Sequence, residues 1–98
     1  MSDKRHIAIL GSTGSIGTQA LEVVREHSDY FQVEVLVVNR NSKLLIQQAL
    51  EFAPNAVVIA DEKKYNEVVD ALVSHDIKVY AGEDAICQIV ELDTIDIV

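Results

Sequence analysis

The 98-residue chain predicts a single α/β domain, a parallel sheet doubly wound with helices on both faces. Three observations carry that prediction. Short runs of apolar, β-branched residues alternate with stripes at helical spacing, the connections between them are short, and a glycine-spaced segment, Gly11-Ser12-Thr13-Gly14-Ser15-Ile16-Gly17, joins the first run to the first stripe. The length suits one hydrophobic core. Hydrophobic residues at 49%, charged residues at 24%, one proline and four glycines are the proportions of a folded globular chain, not a disordered one.

Taken in order, His6-Ile7-Ala8-Ile9-Leu10 reads as a strand buried on both faces and closed by Gly11. Ile16, Ala20, Val23, Val24 and His27 recur at three- and four-residue spacing, which predicts a helix from Ser15 to about Ser28 with those side chains on its inner stripe. Phe31 to Val38 is a second strand. Leu45, Ile46, Ala49, Leu50 and Ala53 mark a second helix, stopped near Pro54. Val57-Val58-Ile59 follows as a third strand, and Asp61 is the candidate N-cap of a third helix with the stripe Tyr65, Val68, Val69, Leu72 and Val73. Val79-Tyr80 makes a short fourth strand, Ala85, Ile86, Ile89 and Val90 suggest a fourth helix after Gly82, and Ile95 to Val98 begins a fifth strand in which the chain stops. No repeat, linker or low-complexity segment interrupts the alternation. A sheet stopping there exposes an apolar edge, so self-association of the isolated chain is expected.

The composition excludes several function classes. Eight basic against sixteen acidic residues give a formal charge of −8, which argues against nucleic acid and requires any anionic ligand to find a local positive field. No apolar stretch approaches membrane-spanning length, and the run after Lys4-Arg5-His6 is too short for a signal-peptide core, so the chain reads as cytoplasmic. Cys87 stands alone and is expected to be a small buried apolar residue rather than a nucleophile. His6, His27 and His75 form no metal-ligand spacing, and Glu62, Glu67, Asp70 and Asp76 read as the wet face of the third helix, so no catalytic or metal-ligating residue is assigned.

The glycine segment is the one constellation that carries chemistry. Between a first strand and a first helix, Gly11, Gly14 and Gly17 permit a tight turn and let a pyrophosphate approach the backbone, while free amides and the helix dipole stabilise its charge. This is the Rossmann-type arrangement. Thr13 and Ser15 add hydroxyl donors, although Ser15 equally suits a helix cap. At the end of the second strand, where an acid would bind the ribose hydroxyls of NAD, Asn39-Arg40-Asn41 stands instead, and an arginine there pairs with the 2′-phosphate of NADP. NADPH is therefore the expected cofactor. Lys43 is read as solvated.

The string Ile9-Leu10-Gly11-Ser12-Thr13-Gly14-Ser15-Ile16-Gly17, with Leu21, Val23, Val24 and Arg25 after it, closely resembles the opening of the 1-deoxy-D-xylulose 5-phosphate reductoisomerases. The resemblance continues through Phe31-Gln32-Val33 and Gln48-Ala49-Leu50-Glu51-Phe52-Ala53-Pro54, covering most of the chain. It implies an NADPH-binding domain, residues 1–98, of a longer homodimeric enzyme that uses a divalent metal, Mn or Mg, to convert deoxyxylulose phosphate to methylerythritol phosphate in non-mevalonate isoprenoid biosynthesis. It further implies that Thr13, Gly14, Ser15 and Ile16 contact the cofactor near its phosphates and that Asn39, Arg40 and Asn41 surround the 2′-phosphate. The family's metal-binding acids, Lys-Glu-Ser segment and substrate-phosphate residues lie beyond Val98, so the isolated piece is expected to be inactive. Asn39 departs from the glycine that many relatives carry, which raises the question of a positive φ there. Two contrasting readings are a stand-alone dinucleotide-sensing regulatory module, suggested by the short chain, and a semialdehyde-type dehydrogenase, which shares the turn but needs a downstream catalytic cysteine.

Overall fold

The computed structural model describes residues 5–85 and the backbone of 96–97. Five parallel strands form one sheet in the order β4-β3-β2-β1-β5, where β1 is Arg5–Leu10, β2 Phe31–Val38, β3 Ala56–Ile59, β4 Lys78–Ala81 and β5 Asp96–Ile97. Helices α1 (Ser15–Glu26), α2 (Ser42–Phe52) and α3 (Tyr65–Leu72) connect the first four strands. The chain thus steps outward from β1 to β4 and then returns to place β5 on the other side of β1. Cys87 and most of the expected fourth helix fall outside the described residues, and β5 lies within the predicted fifth strand.

Alternation along the strands divides the core in two. Ile7, Ile9, Val33, Leu36, Val38, Val57 and Ile59 face the side on which Leu21 and Val24 of α1, Leu45 and Ala49 of α2, and Val68 and Leu72 of α3 pack. Three right-handed crossovers stepping in one direction must put all three helices on that face. Ala8, Val35, Val37, Ala56 and Val58 face the other side, where Ala85 packs against them. Ala85, just after β4, is the described residue that covers this second face. On β2 the alternation skips a beat: Ile7 pairs with Val33 but Ala8 with Val35, so Glu34 is an extra residue in the ladder. Its carboxylate meets His6 of β1 and Asn55 ahead of β3, tying three segments together at the bulge.

Three expected stripes are corrected. In α1 the inward residues are Gly17, Leu21 and Val24, whereas Ile16 is 79% exposed and Val23 and His27 also face outward. The cause is steric: Gly17 is pressed against the strand-helix turn, and once it points inward, positions four and seven residues later must follow. Apolar periodicity alone selects the wrong one of two adjacent stripes. In α2 the inward stripe is Ser42, Leu45, Gln48 and Ala49, while Leu50 and Ala53 are exposed. In α3 only Val68 and Leu72 are fully buried, with Tyr65 and Val73 exposed at its ends. Both ends of that helix are 3-10 turns, Glu62–Lys64 and Val73–His75. Asp61 caps the leading 3-10 turn, its carboxylate accepting from the Lys63 amide at 3.0 Å, whereas the N-cap of α3 itself is Lys64, without a side-chain bond, which corrects the expected cap of the third helix. No helix among the described residues is long and apolar enough to cross a membrane.

Candidate functional site

The glycine turn leaves the C-terminal end of β1 beside the point where the strand order reverses, the position at which open α/β sheets bind ligands. Gly11 has φ +74°, a left-handed conformation that a side chain rarely adopts. The amides of Gly11 and Ser12 both donate to the Val37 carbonyl of β2, at 2.7 and 3.1 Å, and the Gly14 amide closes the turn onto the Gly11 carbonyl at 2.9 Å. Gly17 packs so tightly that a Cβ would lie 2.1 Å from the Gly11 carbonyl oxygen and 2.7 Å from Ser12 Cα.

Gly14, not Ser15, is the N-cap of α1, which corrects the capping alternative for Ser15. No side chain caps this helix, so the first-turn amides lack the usual internal acceptor and are left for an external anion. Ser15 is the first helical residue and its carbonyl accepts from the Thr18 hydroxyl at 3.0 Å. Ser15 and Ile16 are exposed and Thr13 is half-buried. Ile16 is thus an apolar side chain beside the uncapped helix end, on the rim of the turn rather than in the core.

Asn39-Arg40-Asn41 leaves the end of the adjacent strand, two residues after the carbonyl that holds the turn. The two sequence-predicted groups are therefore neighbours at one end of the sheet. Arg40 is exposed and makes no ion pair among the described residues. Asn41 is the N-cap of α2: its side-chain oxygen accepts from the Leu44 amide at 3.2 Å. Its carboxamide oxygen is thereby engaged inside the protein. Asn39 has no positive φ, so replacing glycine there imposes no backbone strain. Lys43 is exposed in the first turn of α2, as expected.

Sequence reasoning missed three parts of this site. Ser12 is fully buried. Gln48, from the inner face of α2, donates to the Ser12 carbonyl at 2.8 Å. Its place among Leu45 and Ala49 at helical spacing was a readable signal, since a glutamine on a buried stripe needs a partner. Asp61, read only as a cap, also brings its backbone amide to the Asn39 carbonyl at 2.9 Å, which braces the Arg40 loop against the end of β3. A cavity of about 370 Å³ lined in part by Arg25, Phe31, Glu51 and Phe52 lies at the opposite end of β2, away from these groups.

The family model for 1-deoxy-D-xylulose 5-phosphate reductoisomerase matches residues 7–98. The reductoisomerase of Phocaeicola vulgatus is 57% identical over 95 residues, covering 97% of this chain and 25% of its own length. A solved reductoisomerase from Zymomonas mobilis in complex with NADPH superposes with a TM-score of 0.89 at 35% identity, covering 96% of this chain and 25% of that one. Another reductoisomerase, in complex with NADPH, fosmidomycin and magnesium, has a TM-score of 0.86 at 24% identity and shares the fold. The chain spans about a quarter of the length of the relatives it matches. On the match of the family model to nearly its whole length, the chain belongs to the 1-deoxy-D-xylulose 5-phosphate reductoisomerase family.

Proposed function

We propose that residues 1–98 are the dinucleotide-binding domain of a longer reductoisomerase and that this domain holds NADPH. The single observation that carries the reading is the uncapped N-terminus of α1, delivered by a glycine turn to the reversal point of the sheet and flanked by an exposed Arg40 that makes no ion pair among the described residues. The turn suits a pyrophosphate: Gly11 provides the left-handed bend, Gly14 leaves the helix end open, Gly17 brings the helix close, and Thr13, Ser15 and Ile16 line the opening. Asn39, Arg40 and Asn41 form the 2′-phosphate side, with Arg40 as the cation and Asn41 shaping the loop through its cap. The similar Zymomonas mobilis protein, solved with NADPH, supports this assignment.

In the whole enzyme, bound NADPH supplies the hydride for reducing the rearranged deoxyxylulose phosphate. This chain's share is to bind and orient the dinucleotide. On the family resemblance we assign the divalent metal, Mg or Mn, the substrate pocket and the homodimer contacts to the rest of the longer enzyme. We place the enzyme in the cytoplasm. The stand-alone sensor and the semialdehyde-type dehydrogenase share the glycine turn with this reading, but the family match favours neither.

The test is calorimetric titration of the chain with NADPH and with NADH, alongside Arg40→Glu. NADPH is expected to bind more tightly, and Arg40→Glu to cost NADPH about tenfold or more in affinity while leaving NADH nearly unchanged, the loss of one charge-assisted contact. Equal binding of both dinucleotides by the unmodified chain removes the role of Arg40.

A further inference from the structure

We propose that Gln48 is a positioning residue for the dinucleotide turn: by donating to the Ser12 carbonyl it fixes where the turn presents its amides to the ligand. The inference rests on the nucleotide-binding reading above for its functional half, but its geometric half stands on the protein alone.

Ser12 lies at the foot of the turn and is held from both sides. Its amide, with that of Gly11, is bound by the Val37 carbonyl of β2, and its carbonyl receives the Gln48 side chain from α2 at 2.8 Å across 36 residues of sequence. The peptide groups either side of Ser12 are thus tied to two different elements, one in the sheet and one in the helical layer. Gly14 and the first turn of α1 hang from that clamp through the bond between the Gly14 amide and the Gly11 carbonyl. Removing the β2 tie would dismantle the sheet, whereas the α2 tie is a single side chain, so Gln48 is the adjustable part.

The surroundings argue that this bond serves geometry rather than bulk stability. Gln48 is 7% exposed, and its stripe neighbours Leu45 and Ala49 are fully buried, so an aliphatic side chain would continue the stripe. With glutamine there, its own Oε1 and the Ser12 Oγ are buried without a hydrogen-bond partner among the described residues. Two unpartnered buried oxygens run against the general rule of polar satisfaction, and departures from that rule concentrate where function sets the geometry. The contact reaches the glycine turn, proposed above for the pyrophosphate that both nicotinamide dinucleotides share, and not the Arg40 loop. Gln48 therefore sets affinity for the dinucleotide as a class, while Arg40 sets the preference between the two.

Three variants test this. Gln48→Leu keeps the volume and the apolar stripe but removes the donor. Gln48→Glu keeps the shape and donates only when its carboxyl is protonated. Ser12→Ala deletes the unpartnered hydroxyl and leaves the carbonyl in place. Amide chemical shifts and hydrogen exchange are read without ligand, then NADPH and NADH are titrated. In Gln48→Leu the amides of residues 11–17 are expected to shift and exchange faster while those of β3 and α3 hold. Affinity for both dinucleotides is expected to fall by a common factor of about ten, the loss of one buried hydrogen bond. Gln48→Glu is expected to recover affinity as the pH is lowered, relative to the unmodified chain over the same range, a rescue that a merely space-filling role would not produce. Ser12→Ala is expected to weaken dinucleotide binding less than Gln48→Leu does. Unchanged turn amides in a folded Gln48→Leu overturn the proposal, as does a loss in Ser12→Ala equal to that in Gln48→Leu. If Gln48→Leu does not fold, the pH rescue of Gln48→Glu decides. Disturbed turn amides in a protein that binds neither dinucleotide would refute the nucleotide reading and leave the positioning role standing.

Discussion

A methyl group at position 17 would sit 2.1 Å from a carbonyl oxygen of the turn, whereas one at position 14 meets that same oxygen at 3.4 Å, ordinary contact distance. Two glycines three residues apart therefore have different reasons to be glycine. Gly17→Ala is expected to cost at least about 2 kcal/mol, because the clash is with backbone that cannot rotate away, read as a shift in the denaturation midpoint. Gly14→Ala is expected to cost no more than about 1 kcal/mol, the usual penalty of alanine at an N-cap, yet to weaken dinucleotide binding, since the new Cβ stands at the open helix end. A stable Gly17→Ala protein would contradict the packing described for α1.

Among the elements, α2 ends with Ala53 in the left-handed conformation, φ 49° and ψ 56°, immediately before Pro54. Glycine is the residue suited to that position, so Ala53→Gly is expected to raise stability by up to about 1 kcal/mol, the relieved strain less the added freedom of the unfolded chain, measured as a rise in Tm. Across from this end, Arg25 of α1 makes a two-bond ion pair with Glu51 of α2 while lying over the Phe52 ring. The hydrogen bond from Arg25 lowers the pKa of Glu51 below its ordinary value. A carboxylate depressed in the folded state contributes stability that is fully present above the ordinary carboxylate range and is lost as the pH falls through the lowered folded value. Arg25→Met is therefore expected to be slightly less stable than the unmodified chain at neutral pH, with the difference fading on acidification; the effect is small because both side chains face solvent. Element identity was readable from apolar runs and glycine placement: β2 matches its predicted bounds. Facing was less readable. Ile16 and Val23 have the right spacing for a buried stripe, but the approach of Gly17 to Gly11, a contact between main-chain atoms, decides the rotation of α1. The place of Gln48 on a buried stripe was readable, but its partner, a main-chain carbonyl, was not.

On the scale of the whole molecule, a chain with a formal charge of −8 is proposed to hold a ligand richer in negative charge than most. On that proposal the local positive field of the open helix end and Arg40 must offset a net charge that opposes the dinucleotide. Because Arg40 is exposed, added salt screens its contact with the 2′-phosphate, so the ratio of NADPH to NADH affinity is expected to narrow as ionic strength rises, checked by titration at low and moderate salt. The order β4-β3-β2-β1-β5 also bears on how the molecule assembles. Each pairing from β1 to β4 joins consecutive strands across one intervening helix, while β5 must come back to Ile7 and Ala8 near the start of the chain. During synthesis the first four strands leave the ribosome in the order in which they pair, and β2 can clasp the glycine turn before β5 has been made. Until β5 arrives, β1 is an open edge, so a strand that the finished sheet pairs on both sides is exposed to mispairing in the nascent chain, beside the proposed ligand site.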